Sequence, residues 1–248
     1  MGLYSFKSPG PDGINLRFFK DFWDMFKVEL LNFFAEFHRN GRLTSDFNNT
    51  FIALIAKIEN PHRLADFWPI SLVSSLYKIL SRVLANRLRK LVSKVVSESK
   101  SIIVQGRQIL DGILITNELV DDVGRLKKEL LMFKVNFERA YASVDWRYLE
   151  EAMGKMNFPF AWRKWMMACA ISASTSVLIN GSPTDEFIFE RGLRKGDPLS
   201  PFLFLLAVEG LNVIMNTMVD NGLFCIKDNK DTKYMTHIRH HTCISIVP

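Results

Sequence analysis

Apolar side chains recur at Phe18, Phe19, Phe22, Trp23, Phe26, Leu30, Phe33, Phe34 and Phe37, the spacing of a helix with one buried stripe. Turn chemistry frames that stretch, with Ser8-Pro9-Gly10-Pro11-Asp12-Gly13 before it and Asn40-Gly41 as its stop. The short apolar run Phe51 to Ile58, closed by Asn60-Pro61, predicts a strand, and a turn is expected after it. From Ser71 to about Val96 the period returns to that of a helix, with Leu72, Leu76, Ile79, Leu80, Val83, Leu84, Leu88, Leu91 and Val95 on the buried side. Arg82, Arg87, Arg89, Lys90 and Lys94 are what remains, and a solvated face or a surface turned to nucleic acid accounts for them equally well.

Leu131 to Phe137 predicts a buried strand, followed by a helix through Tyr148, Leu149 and Met153 toward Met156. Val177-Leu178-Ile179, Asn180-Gly181 and Phe187-Ile188-Phe189 predict a hairpin-like return with a connection longer than two residues. Ser200-Pro201 opens a last helix to about Met218. Cys243 to Val247 is a further strand, expected as an apolar edge without a following partner, which would threaten stable folding. With no internal repeat, the pattern is mixed α and β in one α+β domain.

Composition narrows the partners only a little. A 248-residue chain with 48% hydrophobic and 23% charged residues can bury a real core, and its formal charge of +6 is a modest bias toward polyanions. Cys169, Cys225 and Cys243 are odd in number and lack ligand spacing, so they read as reduced intracellular thiols. The first residues have no apolar signal core, and Phe6 stands where a myristoylation signal wants Ser or Thr. The longest apolar run, Phe202 to Val208, stops at Glu209, far short of the roughly 20 residues a membrane span needs. An intracellular chain without a membrane partner is expected.

Five segments carry chemistry in a fixed order. Lys7 to Gly13 is followed by Phe51-Ile52-Ala53-Leu54-Ile55-Ala56-Lys57 leading to Pro69-Ile70-Ser71-Leu72, and then by Ile103 to Asp111 around Gly106-Arg107-Gln108. Next come Phe133-Lys134-Val135-Asn136-Phe137-Glu138-Arg139-Ala140-Tyr141 and Arg191-Gly192-Leu193-Arg194-Lys195-Gly196-Asp197-Pro198-Leu199-Ser200-Pro201. In series these resemble the reverse transcriptase domain of plant-type non-LTR, LINE-like retrotransposons, the last two looking like motifs A and B. The resemblance implies a right-hand polymerase with fingers and palm: roughly 1–125 as fingers with the first palm elements, and 126–248 as palm with motifs A and B and a degenerate motif C. It also implies that the palm is incomplete at its C-terminal end and that the thumb and an upstream endonuclease domain are absent.

By the same resemblance the activity is RNA-directed DNA synthesis on an RNA template and DNA primer with deoxynucleoside triphosphates and Mg2+, in the nucleus if the element works. No protein partner is indicated. Two divalent metals must clamp the attacking hydroxyl and the leaving pyrophosphate, and hard anionic oxygens must hold them. Here Asn136 occupies the motif A Asp position, and its amide carries no charge. Ala142 stands at the second acidic position, with Glu138 as the nearby carboxylate. After Met235-Thr236-His237-Ile238 the chain reads Arg239-His240-His241-Thr242, so His240 and His241 lie near the motif C Asp pair. No catalytic or metal-binding set is left intact.

The resemblance assigns nucleotide contacts to Lys57, Trp68, Tyr141, Lys195 and Gly196, with Trp68 in place of a basic residue and Lys195 in place of Gln. Arg63 is a further basic residue close by. Template contacts fall to Arg191, Gly192, Arg194 and Asp197. The expectation is an inactive polymerase domain; the alternatives are a non-catalytic nucleic-acid-binding pseudo-enzyme, or a degenerate reading frame without function.

Overall fold

The computed structural model describes residues 8–95, 117, 121, 125, 131–136, 140–221, 234–238 and 241–246. The Ile103 to Asp111 block, Glu138 and His240 lie outside the described residues. The first helical stretch is two helices, α1 (Leu16–Asp21) and α2 (Trp23–Asn40), divided at Phe22. Asn15 caps α1, its Oδ1 accepting from the Phe18 N–H at 3.1 Å. Gly41, left-handed at φ 56, ends α2 by donating to the Phe37 carbonyl. Of the expected stripe, Leu30 and Phe37 are buried, whereas Phe22 and Trp23 are half exposed.

Strand β1 (Thr50–Ala56) pairs antiparallel with β2 (Phe67–Val73) and parallel with β4 (Ser174–Ile179). The sequence reading placed a turn where β2 runs, because Pro69 argues against a strand. The sheet order β2-β1-β4-β5 resolves this: β2 lies at the end, and Pro69, opposite Leu54, needs no N–H for an outer neighbour. Helix α3 (Ser75–Val95) therefore starts after Ser71 and leaves Leu72 in β2. Its buried side is Tyr77, Leu80, Leu84, Ala85 and Leu88. Val83 and Leu91, expected inside, are 37% and 38% exposed, on the same outward arc as Arg87, Arg89 and Lys90.

Helix α4 (Trp146–Lys155) starts at Asp145, whose carboxylate accepts from the Tyr148 N–H at 2.9 Å. Helix α5 (Phe160–Ile171) was absent from the sequence reading, and its burial explains why: consecutive Trp165, Met166 and Met167 are all buried, so no single apolar stripe marks it. Helix α6 (Ser200–Asp220) packs on α4 and α3. Together these helices bury Tyr77, Leu149, Met166 and Leu206 almost completely, each contributing about 1.5–3 kcal/mol.

The hairpin return corrects a second expectation. Strand β4 turns into β5 (Ser182–Pro183) through the two residues Asn180 and Gly181, both at positive φ, as a type I′ turn requires, and β6 (Phe187–Ile188) then pairs with β4. A second sheet has the order β3-β8-β7, from β3 (Leu131–Asn136), β8 (His241–Ile246) and β7 (Tyr234–Ile238). The strand expected as an unpartnered edge is the central one, paired antiparallel on both sides. Among the described residues no helix is long and apolar enough to cross a membrane.

Candidate functional site

The segment between β6 and α6 is held by a buried ion pair. Arg194 Nη2 lies 3.1 Å from Asp197 Oδ2, with both side chains 5% exposed or less. The guanidinium also donates to Asn48 Oδ1 (2.6 Å), Thr50 Oγ1 (3.1 Å) and the Cys169 carbonyl (3.0 Å), and its plane stands 4.2 Å from the centre of the Tyr77 ring. Asp197 accepts from the Tyr77 hydroxyl at 2.6 Å and from the Leu199 N–H at 2.9 Å, which fixes the start of α6. Burial pushes the Tyr77 phenol well above its ordinary value, against the opposing pull of Arg194. Burial likewise raises the Cys169 thiol, which is therefore an inert packing group.

Arg194 and Asp197, expected at the template, are thus turned inward. Their hydrogen bonds join the entry to β1, helix α3, the end of α5 and the start of α6. Asn48, Thr50, Tyr77 and Cys169 were missed as members of this set, since partners 120 to 146 residues from Asp197 or Arg194 leave no local signal. A cavity of about 120 Å3 lies beside the network and is lined in part by Tyr77, Ala142, Phe189, Arg191 and Gly192. Arg191 itself is exposed. Gly192 fixes its end of the loop, donating to the Val144 carbonyl and accepting from the Trp146 indole, each at 2.8 Å.

Between the two buried residues the loop turns outward. The Lys195 carbonyl accepts from the Ser71 N–H at 2.8 Å, so the loop docks on the outer edge of β2. Gly196 has φ 109, and a Cβ there would stand 2.9 Å from the Ser71 carbonyl oxygen; only glycine suits that approach. The Lys195 ammonium then lies 4.0 Å, and that of Lys57 4.4 Å, from the centre of the exposed Trp68 ring. Lys57 is held by a 2.7 Å bond to the Ala65 carbonyl. Four of the five expected nucleotide residues, Lys57, Trp68, Lys195 and Gly196, come together in this way. Tyr141 instead packs on Phe204, ring centres 5.3 Å apart, and burial raises its phenol. Arg63 is exposed in the turn closed by Asp66.

In the second sheet Asn136 is paired with His241, and His241 in turn with Ile238. The backbone thus sets the motif A position beside the segment that follows β7. The two residues in register are a neutral amide and an imidazole, a donor set that does not suit Mg2+, which seeks anionic hard oxygens.

The reverse transcriptase (RNA-dependent DNA polymerase) family matches residues 58–238, from the turn after β1 to the last residue of β7. The chain belongs to the reverse transcriptase family. Its similarity to the Xenopus laevis transposon TX1 uncharacterized 149 kDa protein is 30% identity over 82% of this chain and 16% of that protein. It is 24% identical, over 82% of this chain and 28% of the relative, to the Pol polyprotein of the type-1 retrotransposable element R2 of Popillia japonica. The reverse transcriptase domain is therefore that of non-LTR, LINE-like elements, and the chain spans less than a third of either relative. Among solved structures, telomerase from Candida tropicalis in complex with a TWJ fragment of telomeric RNA shares the fold, with a TM-score of 0.52 and 14% identity over 91% of this chain and 40% of that one. The α+β fingers-and-palm architecture follows from the family and this likeness. Reverse transcriptases of this family generally depend on Mg2+.

Proposed function

We propose that this domain, of plant-type lineage by the wording of its motifs, retains a surface for RNA template, DNA primer and nucleotide but does not catalyse nucleotide addition. The observation that carries the reading is the register of Asn136 with His241. Residues about 1–125 serve as fingers with the first palm elements and 126–248 as palm. Nucleotide addition needs two dications bridged by carboxylates beside the primer terminus. In this reading Asn136 holds the motif A position, and His240 and His241 hold those of motif C, so the three places that should supply negative oxygens supply none. An amide is a weak ligand and imidazole a poor one for a hard ion that dehydrates reluctantly. The family match also ends at Ile238, just before Arg239-His240-His241-Thr242.

The cluster of Lys57, Trp68 and Lys195 supports retained binding. Two ammonium groups share one aromatic ring, neither forms an ion pair with a described residue, and all three side chains are exposed. Such a group offers charge to phosphates and an aromatic plane to a base. Tyr141 and Gly192 line the approach, with Arg191 as the exposed template-side cation. Arg194 and Asp197 act as positioning residues for the loop. The test is primer extension on an RNA template with Mg2+ or Mn2+: the chain yields no product above background, and Asn136→Asp alone restores none. Templated DNA synthesis by the unaltered chain refutes the reading.

A further inference from the structure

Helix α3 carries Lys78, Arg82, Arg87, Arg89, Lys90 and Lys94 and not one aspartate or glutamate. Its charge equals the +6 of the whole chain. Helix α2, of similar length, shows the ordinary arrangement: Asp24, Glu29 and Glu36 alternate with Lys27 and Arg39, and Lys27 pairs with Asp24 at 3.4 Å. Helix α1 likewise pairs Arg17 with Asp21. On α3 the mutual repulsion of the cations is left uncompensated along the helix.

Burial sorts these cations by role. Lys78 is buried and donates to the Ser8 carbonyl, so it belongs to the scaffold. Arg87, Arg89 and Lys90 are exposed and Arg82 is half-buried. At 100° per residue, positions 82, 87, 89 and 90 fall on the arc opposite the buried Tyr77, Leu84 and Leu88. None of the four forms an ion pair with a described acidic residue. The Arg89 guanidinium lies 5.6 Å from the centre of the Phe202 ring, which holds it in place at the start of α6.

We infer that the outward face of α3 is a second nucleic-acid contact, tracking a phosphate backbone through Arg82, Arg87, Arg89 and Lys90, distinct from the cluster at Trp68. The four cations span about 12 Å of helix axis, enough to meet several successive phosphates. Arginine offers two donors to each phosphate, and neutralisation releases bound counterions. The inference rests on the reading that the chain still binds nucleic acid.

The test measures the affinity of the full chain for a fluorescein-labelled RNA–DNA hybrid, and for the single-stranded RNA, across a KCl series. Arg82→Gln/Arg87→Gln/Arg89→Gln/Lys90→Gln lowers the slope of log Kd against log[KCl] for the hybrid by about 3. Removing four charges from α1 and α2 by Arg17→Gln/Lys20→Gln/Lys27→Gln/Arg39→Gln changes it by no more than about 1. A larger loss on the hybrid than on the single strand identifies the duplex as the ligand, and the reverse identifies the single strand. If the α3 variant does not fold, acetylation of the unaltered chain decides the matter: bound hybrid or RNA shields Lys90 several-fold and leaves Lys27 reactive. A slope change no greater than the control's, or equal reactivity of Lys90 with and without nucleic acid, overturns the inference while binding by the unaltered chain persists. Absence of all binding by the unaltered chain overturns both the inference and the retained-surface reading.

Discussion

The loop before α6 and the strands β3 and β8 are both built from motifs of one family, yet they have kept different things. The loop keeps its chemistry: a buried guanidinium and carboxylate 3.1 Å apart, closed by a phenol and by the N–H of Leu199. The strands keep only their geometry, with Asn136 still in register with His241 while neither residue is an acid. Backbone pairing is indifferent to a change of carboxylate to amide, because register is set by the ladder and the alternation of side chains. A buried ion pair is not indifferent, since removing one partner strands a charge in a low dielectric. A fold can therefore outlast the loss of its metal ligands but not the loss of its internal charge pair.

The sharpest way to break that contrast is Asp197→Ala. It leaves the Arg194 guanidinium buried without its carboxylate and should cost about 3–5 kcal/mol, read as urea unfolding; a loss below about 1 kcal/mol would place the pair outside the scaffold. Gly196→Ala comes next, at about 2 kcal/mol for the left-handed backbone and the approach to Ser71, and it should also release Lys195 from Trp68, changing the indole fluorescence. Unchanged emission would mean that the loop does not dock on β2.

Tyr77→Phe removes one buried hydrogen bond and should cost about 1–2 kcal/mol near neutral pH. It also carries a pH signature. The folded phenol titrates above its unfolded value of about 10, so the folded chain holds the proton that the unfolded chain releases. That stability is full below pH 10 and is lost as pH rises through the folded value. The phenylalanine variant should lack this alkaline decline, and an identical decline in both proteins would assign it elsewhere. The smallest effect belongs to Lys195→Ala, under about 1 kcal/mol because a surface cation–π contact is weak, with weakened nucleotide binding as its readout.

What could be read from the chain beforehand follows the same division. Motif wording located Lys57, Trp68, Lys195 and Gly196, and the structure gathers them because β2 and the loop dock edge to edge. The inward turn of Arg194 was not legible, since its partners Asn48, Thr50 and Cys169 are distant in sequence. Pro69 concealed an edge strand, and the almost wholly apolar α5 concealed a helix. Strand β8 was read as an exposed edge because nothing in Cys243 to Val247 signals partners on both sides, yet it lies between β3 and β7.

Metal binding tests the central claim most directly. Titrated with Mn2+ and followed by the electron paramagnetic resonance of the free ion, the chain should leave the free-ion signal undiminished through the micromolar range. Stoichiometric uptake of two ions that is abolished by Asn136→Ala would contradict the account.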